Sequence, residues 1–160
     1  MDSELFKLSE QLGRLLKANG NTLATAESCT GGWIAQSITD IAGSSAWFDR
    51  GFVTYSNAAK MQMLGVSAQT LEKYGAVSAE TATEMATGAL THSAADVAVA
   101  VTGIAGPDGG TPEKPVGTVF IAWADKYGKT NVVKKQFSGN RRKIRAQTVA
   151  SALEGMWLFF

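Results

Sequence analysis

Three segments of the chain place hydroxyl, lysine and glycine residues directly after predicted strands. They cover residues 25–32, residues 43–48 together with 55–60, and residues 102–110. In α/β proteins ligands bind at the carboxyl ends of the strands, so these segments together form the predicted functional site.

The first segment follows a short predicted strand and leads into a helix. Ser28 and Thr30 precede a glycine pair that begins at Gly31. Free backbone N–H groups and the positive end of a helix dipole favour binding of an anion at such a turn. The same residues are also typical of an ordinary capped turn, with Ser28 or Thr30 as the N-cap.

The second segment contains Ser45, Tyr55 and Lys60. Lys60 falls in the first turn of a predicted helix, where the dipole disfavours a cation. A lysine kept there and partly desolvated has a lowered pKa and can act as a base. Tyr55, shortly before it, could donate a hydrogen bond to a developing oxyanion. A surface lysine beside a half-buried tyrosine is the alternative interpretation.

The third segment begins with Thr102 and Gly103 and continues through Gly106. Its glycines permit close approach of the backbone to a ligand, but no Gly-Lys-Ser/Thr follows, which excludes a P-loop. The adjacent Arg141 and Arg142 stand in the first turn of the last predicted helix. They indicate either recognition of a phosphate or carboxylate, or a solvated basic face.

The single cysteine and the single histidine limit the other kinds of catalysis. Cys29 could form a thiol nucleophile with Glu27 and Lys60, although a lone cysteine at a helix start is more often a small packed residue. His92 lies near a predicted helix end, which disfavours a Ser-His-Asp triad. No His/Cys cluster has the spacing of a metal site, so we expect neither a metal nor another cofactor.

Helices and strands alternate along the chain. A helix with leucines on one face ends near Gly20, and Val97–Val101 is an apolar run typical of a strand buried on both faces. Two further strands form a hairpin before a long final helix that follows Ser138-Gly139-Asn140. The predicted strands cover residues 22–26, 52–55, 97–101, 116–124 and 131–137. The predicted helices include those capped by Asn57, Ser67 and Ser78. This order predicts a single three-layer α/β/α domain over residues 1–160, with a mixed, mostly parallel sheet.

Charge and hydropathy exclude several classes of protein. Fifteen Lys and Arg against fourteen Asp and Glu disfavour a nucleic-acid binder. The start of the chain does not resemble a signal peptide, and no apolar run has the length of about 18 residues typical of a membrane span. With one cysteine, no intramolecular disulfide can form. We therefore expect a cytoplasmic protein that contacts neither nucleic acid nor membrane.

Together these segments resemble the CinA C-terminal family. The matching motifs are AESCTGG at 26–32, GFVTYSNAAK at 51–60, GAVS at 75–78, TGIAGPDGG at 102–110 and KPVGTV at 114–119. The resemblance implies hydrolysis of the carboxamide of nicotinamide mononucleotide (NMN) to nicotinate mononucleotide and ammonia, in the recycling of NAD. It also implies a metal-free mechanism and a homodimer. The family's functional positions correspond to Ser28, Ser45, Tyr55, Lys60, Thr102 and Arg142.

On this basis Ser45 is predicted to be the nucleophile, Lys60 its base and Tyr55 the oxyanion donor. The substrate would be held by the turn and loop residues and by one arginine, namely Ser28, Thr30, Gly31, Thr102, Gly103, Gly106 and Arg142. The reverse assignment, with Ser28 as the nucleophile, stays open. A catalytically silent nucleotide-binding or regulatory module on the same fold is the competing hypothesis.

Overall fold

The computed structural model describes residues 2–160. The helices are α1 (Asp2–Asn19), α2 (Trp33–Thr39), α3 (Asn57–Leu64), α4 (Ala68–Tyr74), α5 (Ala79–Thr91) and α6 (Arg141–Phe159). The strands are β1 (Leu23–Glu27), β2 (Phe48–Val53), β3 (Val97–Gly103), β4 (Thr118–Asp125) and β5 (Thr130–Gln136). None of the helices within residues 2–160 has both the length and the apolar character needed to cross a membrane.

The five strands form one sheet in the order β2-β1-β3-β4-β5. β1 pairs in parallel with both β2 and β3, whereas β4 is antiparallel to β3 and to β5. Four strands therefore run in one direction and only β4 runs in the other. This confirms the predicted mixed, mostly parallel sheet with a β-hairpin and a long helix at its C-terminal side.

Helices cover both faces of the sheet, and the two faces are packed with side chains of different size. α1, α2 and α6 enclose a core of large residues that includes Leu12, Trp47 and Trp123. α5 packs on the other face, beside α3 and α4. Ten of the thirteen buried residues in that second cluster are alanines, so α5 can lie close to the strands.

The outer strand β2 is longer than the sequence predicted. It begins at Phe48 rather than Phe52, and its first half contains the exposed residues Asp49 and Arg50. Strands at a sheet edge tolerate such charged residues because one side is open to solvent. The predicted N-cap of α3 is also corrected, because the side chain of Ser56, and not that of Asn57, accepts from the backbone N–H of Ala59. Ser67 and Ser78 cap α4 and α5, as predicted.

A glycine in α5 sets the position of α3. A Cβ atom placed on Gly88 would lie 2.0 Å from the carbonyl oxygen of Leu64, the last residue of α3. No other residue type allows this approach. The contact matters for function because α3 carries Lys60.

Candidate active site

A cavity of about 190 Å³ opens at the carboxyl ends of β1, β2 and β3. This is the end of the sheet at which the sequence placed the site. The cavity is lined by Ser28, Cys29, Tyr55, Asn57, Lys60, Ala76, Val77, Thr102, Gly103, Ala105 and Arg141.

Lys60 is the most deeply buried cation of this cavity, with 1% of the residue exposed. Its Nζ atom lies 3.0 Å from Ser28 Oγ, 3.0 Å from the carbonyl oxygen of Thr54 and 3.0 Å from that of Tyr55. It forms no salt bridge with any carboxylate of residues 2–160. The lysine is therefore held by neutral groups in a region shielded from water.

Burial lowers the pKa of Lys60 below its ordinary value, because desolvation penalises the charged form. A neutral amine has two N–H groups and one lone pair. If the N–H groups bind the carbonyl oxygens of Thr54 and Tyr55, the lone pair faces the hydroxyl of Ser28. This arrangement can remove a proton from Ser28 and activate it as a nucleophile.

Ser28 lies directly after β1, and its backbone N–H donates to the carbonyl of Val101 in β3 at 3.1 Å. Its side chain points toward the α3 and α5 side of the sheet, where Lys60 lies. The residue retains an exposure of 8%, on the wall of the cavity. The hydroxyl is thus both beside a base and accessible from the cavity.

Arg141 and Tyr55 meet at the mouth of the cavity. One guanidinium nitrogen donates to the carbonyl of Gly106 at 2.7 Å, and the other lies 3.3 Å from the Tyr55 hydroxyl. Tyr55 is 63% exposed. A cation and a phenol at a solvent-facing rim suit the binding of an anionic group of a ligand.

Thr102, Gly103 and Gly106 shape the walls of the cavity. The Thr102 hydroxyl donates to the carbonyl of Ala76 at 2.8 Å, which fixes the turn between α4 and α5 against the end of β3. Gly106 has a φ of +77°, a conformation that glycine adopts without strain. Thr102 and Gly103 line the cavity as predicted, whereas Gly106 contributes through its carbonyl bond to Arg141.

The structure does not bring Ser45 together with Lys60. Ser45 is exposed in a 3₁₀ turn (Ser44–Ala46) that precedes β2, whereas Lys60 binds the backbone that follows β2. The six residues of β2 separate these positions by roughly 20 Å of extended chain. This corrects the predicted Ser45–Lys60 pair, because Ser28 is the serine whose hydroxyl contacts Lys60.

Arg142 is likewise directed away from the cavity. Its guanidinium lies 4.8 Å from the centre of the Trp33 ring, in a separate depression between α1, α2 and α6. The neighbouring Arg141 lines the cavity instead. Thr30 and Gly31 also lie outside the lining of the cavity, and the Thr30 hydroxyl donates to Glu27 at 2.5 Å.

Cys29 faces the cavity but is poorly suited to be a nucleophile. Burial raises the pKa of its thiol to about 12, so it is uncharged at neutral pH. The Glu27 carboxylate binds Thr30 and two backbone N–H groups of α2 rather than the thiol. His92 is the C-cap of α5, and its Nδ1 lies 2.8 Å from the carbonyl oxygen of Gly88. In residues 2–160 no three His, Cys, Asp or Glu side chains group as metal ligands.

The model of the CinA C-terminal domain family matches residues 5–159. The chain belongs to this family. It is 59% identical over 159 residues to the nicotinamide-nucleotide amidohydrolase PncC of Escherichia coli K12, covering 99% of this chain and 96% of that protein. It is 50% identical over 149 residues to PncC of Pseudomonas putida, covering 93% and 92% of the two chains.

A solved structure agrees with this relationship. The competence/damage inducible protein CihA from Agrobacterium tumefaciens superposes with a TM-score of 0.95 at 48% identity, covering 98% of this chain and 95% of that one. The family predicted from the sequence motifs is therefore confirmed.

Proposed function

We propose that this chain is a nicotinamide-nucleotide amidohydrolase that converts NMN and water into nicotinate mononucleotide and ammonia, with Ser28 as nucleophile and Lys60 as base. The activity agrees with the names of the relatives that match nearly its whole length. The observation that supports the mechanism is the contact of 3.0 Å between the buried Lys60 amine and the Ser28 hydroxyl.

Lys60 and Ser28 provide the groups that amide hydrolysis requires. The neutral amine of Lys60 takes the proton from Ser28 Oγ as that oxygen attacks the carboxamide carbon. The resulting ammonium passes the proton to the departing nitrogen, which leaves as ammonia and yields an acyl-serine ester. A water molecule, deprotonated by the same lysine, then attacks the ester, releases the nicotinate product and restores Ser28.

Arg141 and Tyr55 are assigned to the phosphate of the substrate. They form the cationic rim of the cavity, and a guanidinium binds phosphate oxygens through charge-assisted hydrogen bonds. Tyr55 thus moves from the predicted oxyanion role to substrate binding, because its hydroxyl lies beside Arg141. Thr102 and Gly103 would support the walls around the pyridine ring.

The first experiment measures ammonia release from NMN with a chelator present. The wild type is compared with Ser28→Ala, Lys60→Met and Ser45→Ala. We expect release by the wild type and by Ser45→Ala, and a loss of about 100- to 10,000-fold in kcat for Lys60→Met, the range of a missing general base. If Ser45→Ala loses ammonia release and Ser28→Ala retains it, Ser45 and not Ser28 is the nucleophile.

The same assay addresses the competing hypothesis. If the folded wild type releases no ammonia, the catalytically silent nucleotide-binding module becomes the better explanation. The buried amine without a carboxylate partner favours the enzyme, since burial of an unpaired amine costs stability and such groups concentrate at functional sites.

Three further properties belong to the proposal. We expect a homodimer, measurable as twice the chain mass by light scattering. We also expect a cytoplasmic location and a role in the recycling of NAD. The proposed reaction needs neither nucleic acid nor a metal, because Ser28 and Lys60 supply the nucleophile and the base.

A further inference from the structure

The turn that carries Ser28 is held from two sides by charged side chains that lie outside the cavity. Arg145 in α6 donates to two backbone carbonyl groups of the turn, and Glu27 at the end of β1 accepts from the Thr30 hydroxyl. The two residues form no salt bridge with each other. Each charged group instead forms hydrogen bonds with the turn that lies between them.

Arg145 contacts two successive backbone groups of this turn. Its Nε donates to the carbonyl of Cys29 at 3.0 Å, and its Nη2 donates to the carbonyl of Thr30 at 3.0 Å. A guanidinium can make both bonds at once because its N–H groups lie in one rigid plane. The Trp33 ring, 5.4 Å from the guanidinium carbon, supports the arginine from another side.

Glu27 holds the same turn to the start of α2. It is 1% exposed and accepts from the Thr30 hydroxyl at 2.5 Å and from the backbone N–H groups of Ile34 and Ala35 at 2.9 and 3.1 Å. Successive residues of a strand point to opposite faces of a sheet. Glu27 therefore faces α2 while Ser28, the next residue, faces Lys60.

We propose that Arg145, together with Glu27, is a positioning residue that fixes the turn after β1 so that the Ser28 hydroxyl faces the Lys60 amine. This proposal rests on the proposed function. Neither side chain lines the cavity, so neither contacts the substrate in this scheme. Their contribution is to the orientation of the nucleophile, and it should affect turnover rather than binding.

Arg145→Lys keeps the charge but removes the planar pair of donors, so one carbonyl loses its partner. A displacement of about 1 Å at a reacting group costs up to about 100-fold in rate, and we expect kcat to fall by about 10- to 100-fold. KM should stay within about twofold of the wild-type value, and the variant should melt well above the temperature at which the assay is run. Arg14→Lys, at an exposed site on α1, is the matched control for the same exchange.

Glu27→Gln provides the second arm, and the double variant tests the coupling. Because both residues act through one turn, the combined loss in kcat should be smaller than the product of the two single losses. If Arg145→Lys fails to fold, Glu27→Gln decides the question, because the same loss in kcat is expected from it.

The outcomes separate this proposal from the proposed function. Positioning is refuted if the wild type is active and both single variants keep its kcat, or if their losses appear in KM. A wild type that releases no ammonia from NMN overturns the proposed function, and the positioning role with it.

Discussion

Replacing Gly88 by alanine should displace α3 and slow the reaction. The new Cβ would lie 2.0 Å from the carbonyl oxygen of Leu64. A carbon and a carbonyl oxygen normally stay about 3.3 Å apart, so the end of α3 must move by about 1.3 Å or α5 must shift. Lys60 lies one helical turn from this contact and would move with its helix.

Two effects on stability compete in this variant. Overpacking costs about 1–3 kcal/mol, whereas alanine in place of glycine in a helix returns about 1 kcal/mol. We expect a net loss of up to about 2 kcal/mol, which lowers the melting temperature of a chain of this size by up to about 8 °C. A shift of about 1 Å at Lys60 should reduce kcat by up to about 100-fold.

Thermal unfolding followed by circular dichroism and ammonia release from NMN measure the two effects separately. Thr87→Ala, the adjacent exposed position of α5, is the control because it adds no atom toward α3. A Gly88→Ala protein with the melting temperature and kcat of this control would show that the approach of α3 to α5 does not determine the position of Lys60.

Three other predictions concern the cavity. In the proposed mechanism the neutral amine of Lys60 is the base, and burial lowers the pKa of this amine, so kcat/KM should rise with pH through a midpoint below the ordinary lysine value of about 10.4. A pH profile without this rise would argue against the lysine as base. Cys29→Ala should keep kcat within a few-fold of the wild type, and iodoacetamide at pH 8 should leave activity intact, since the thiol pKa of about 12 keeps it protonated. Arg141→Gln should raise KM for NMN by about 10- to 100-fold, the effect of losing a charged hydrogen bond worth about 1.5–3 kcal/mol, with a smaller change in kcat. The same exchange at Arg142 should have the smaller effect on KM, and the opposite order would restore the sequence-based choice.

Most of the fold could be predicted from local patterns. Hydrophobic periodicity and cap residues indicated the six helices of residues 2–160 to within a few residues, and the continuous apolar run identified the central strand β3. The beginning of β2 could not be predicted this way. Asp49 and Arg50 are unfavourable in a buried strand and acceptable only at an edge, and the order of strands in the sheet is a tertiary property.

The site could be predicted only in part, because its remaining features also depend on the tertiary arrangement. The sequence identified the three segments, but a choice between Ser28 and Ser45 depends on which end of β2 faces the cavity. The choice between Arg141 and Arg142 depends on the rotation of α6, because adjacent helix residues point about 100° apart. That Arg145 and Glu27 bind the same turn could not be predicted, because the two residues are far apart in the sequence and come together only in the folded chain.

The alanine-rich face of the sheet has a consequence for the entropy of folding. Alanine loses no rotamer freedom when it is buried, whereas leucine, methionine and lysine each lose a measurable amount. The layer formed by α5 and the strands beneath it is therefore ordered at low side-chain entropy cost. Because alanine has no alternative rotamers, the alanine side chains of this layer cannot rearrange to let α3 shift. The base of the proposed reaction thus lies on a layer with few alternative side-chain conformations, whereas Tyr55 and Arg141 at the mouth of the cavity are exposed to solvent.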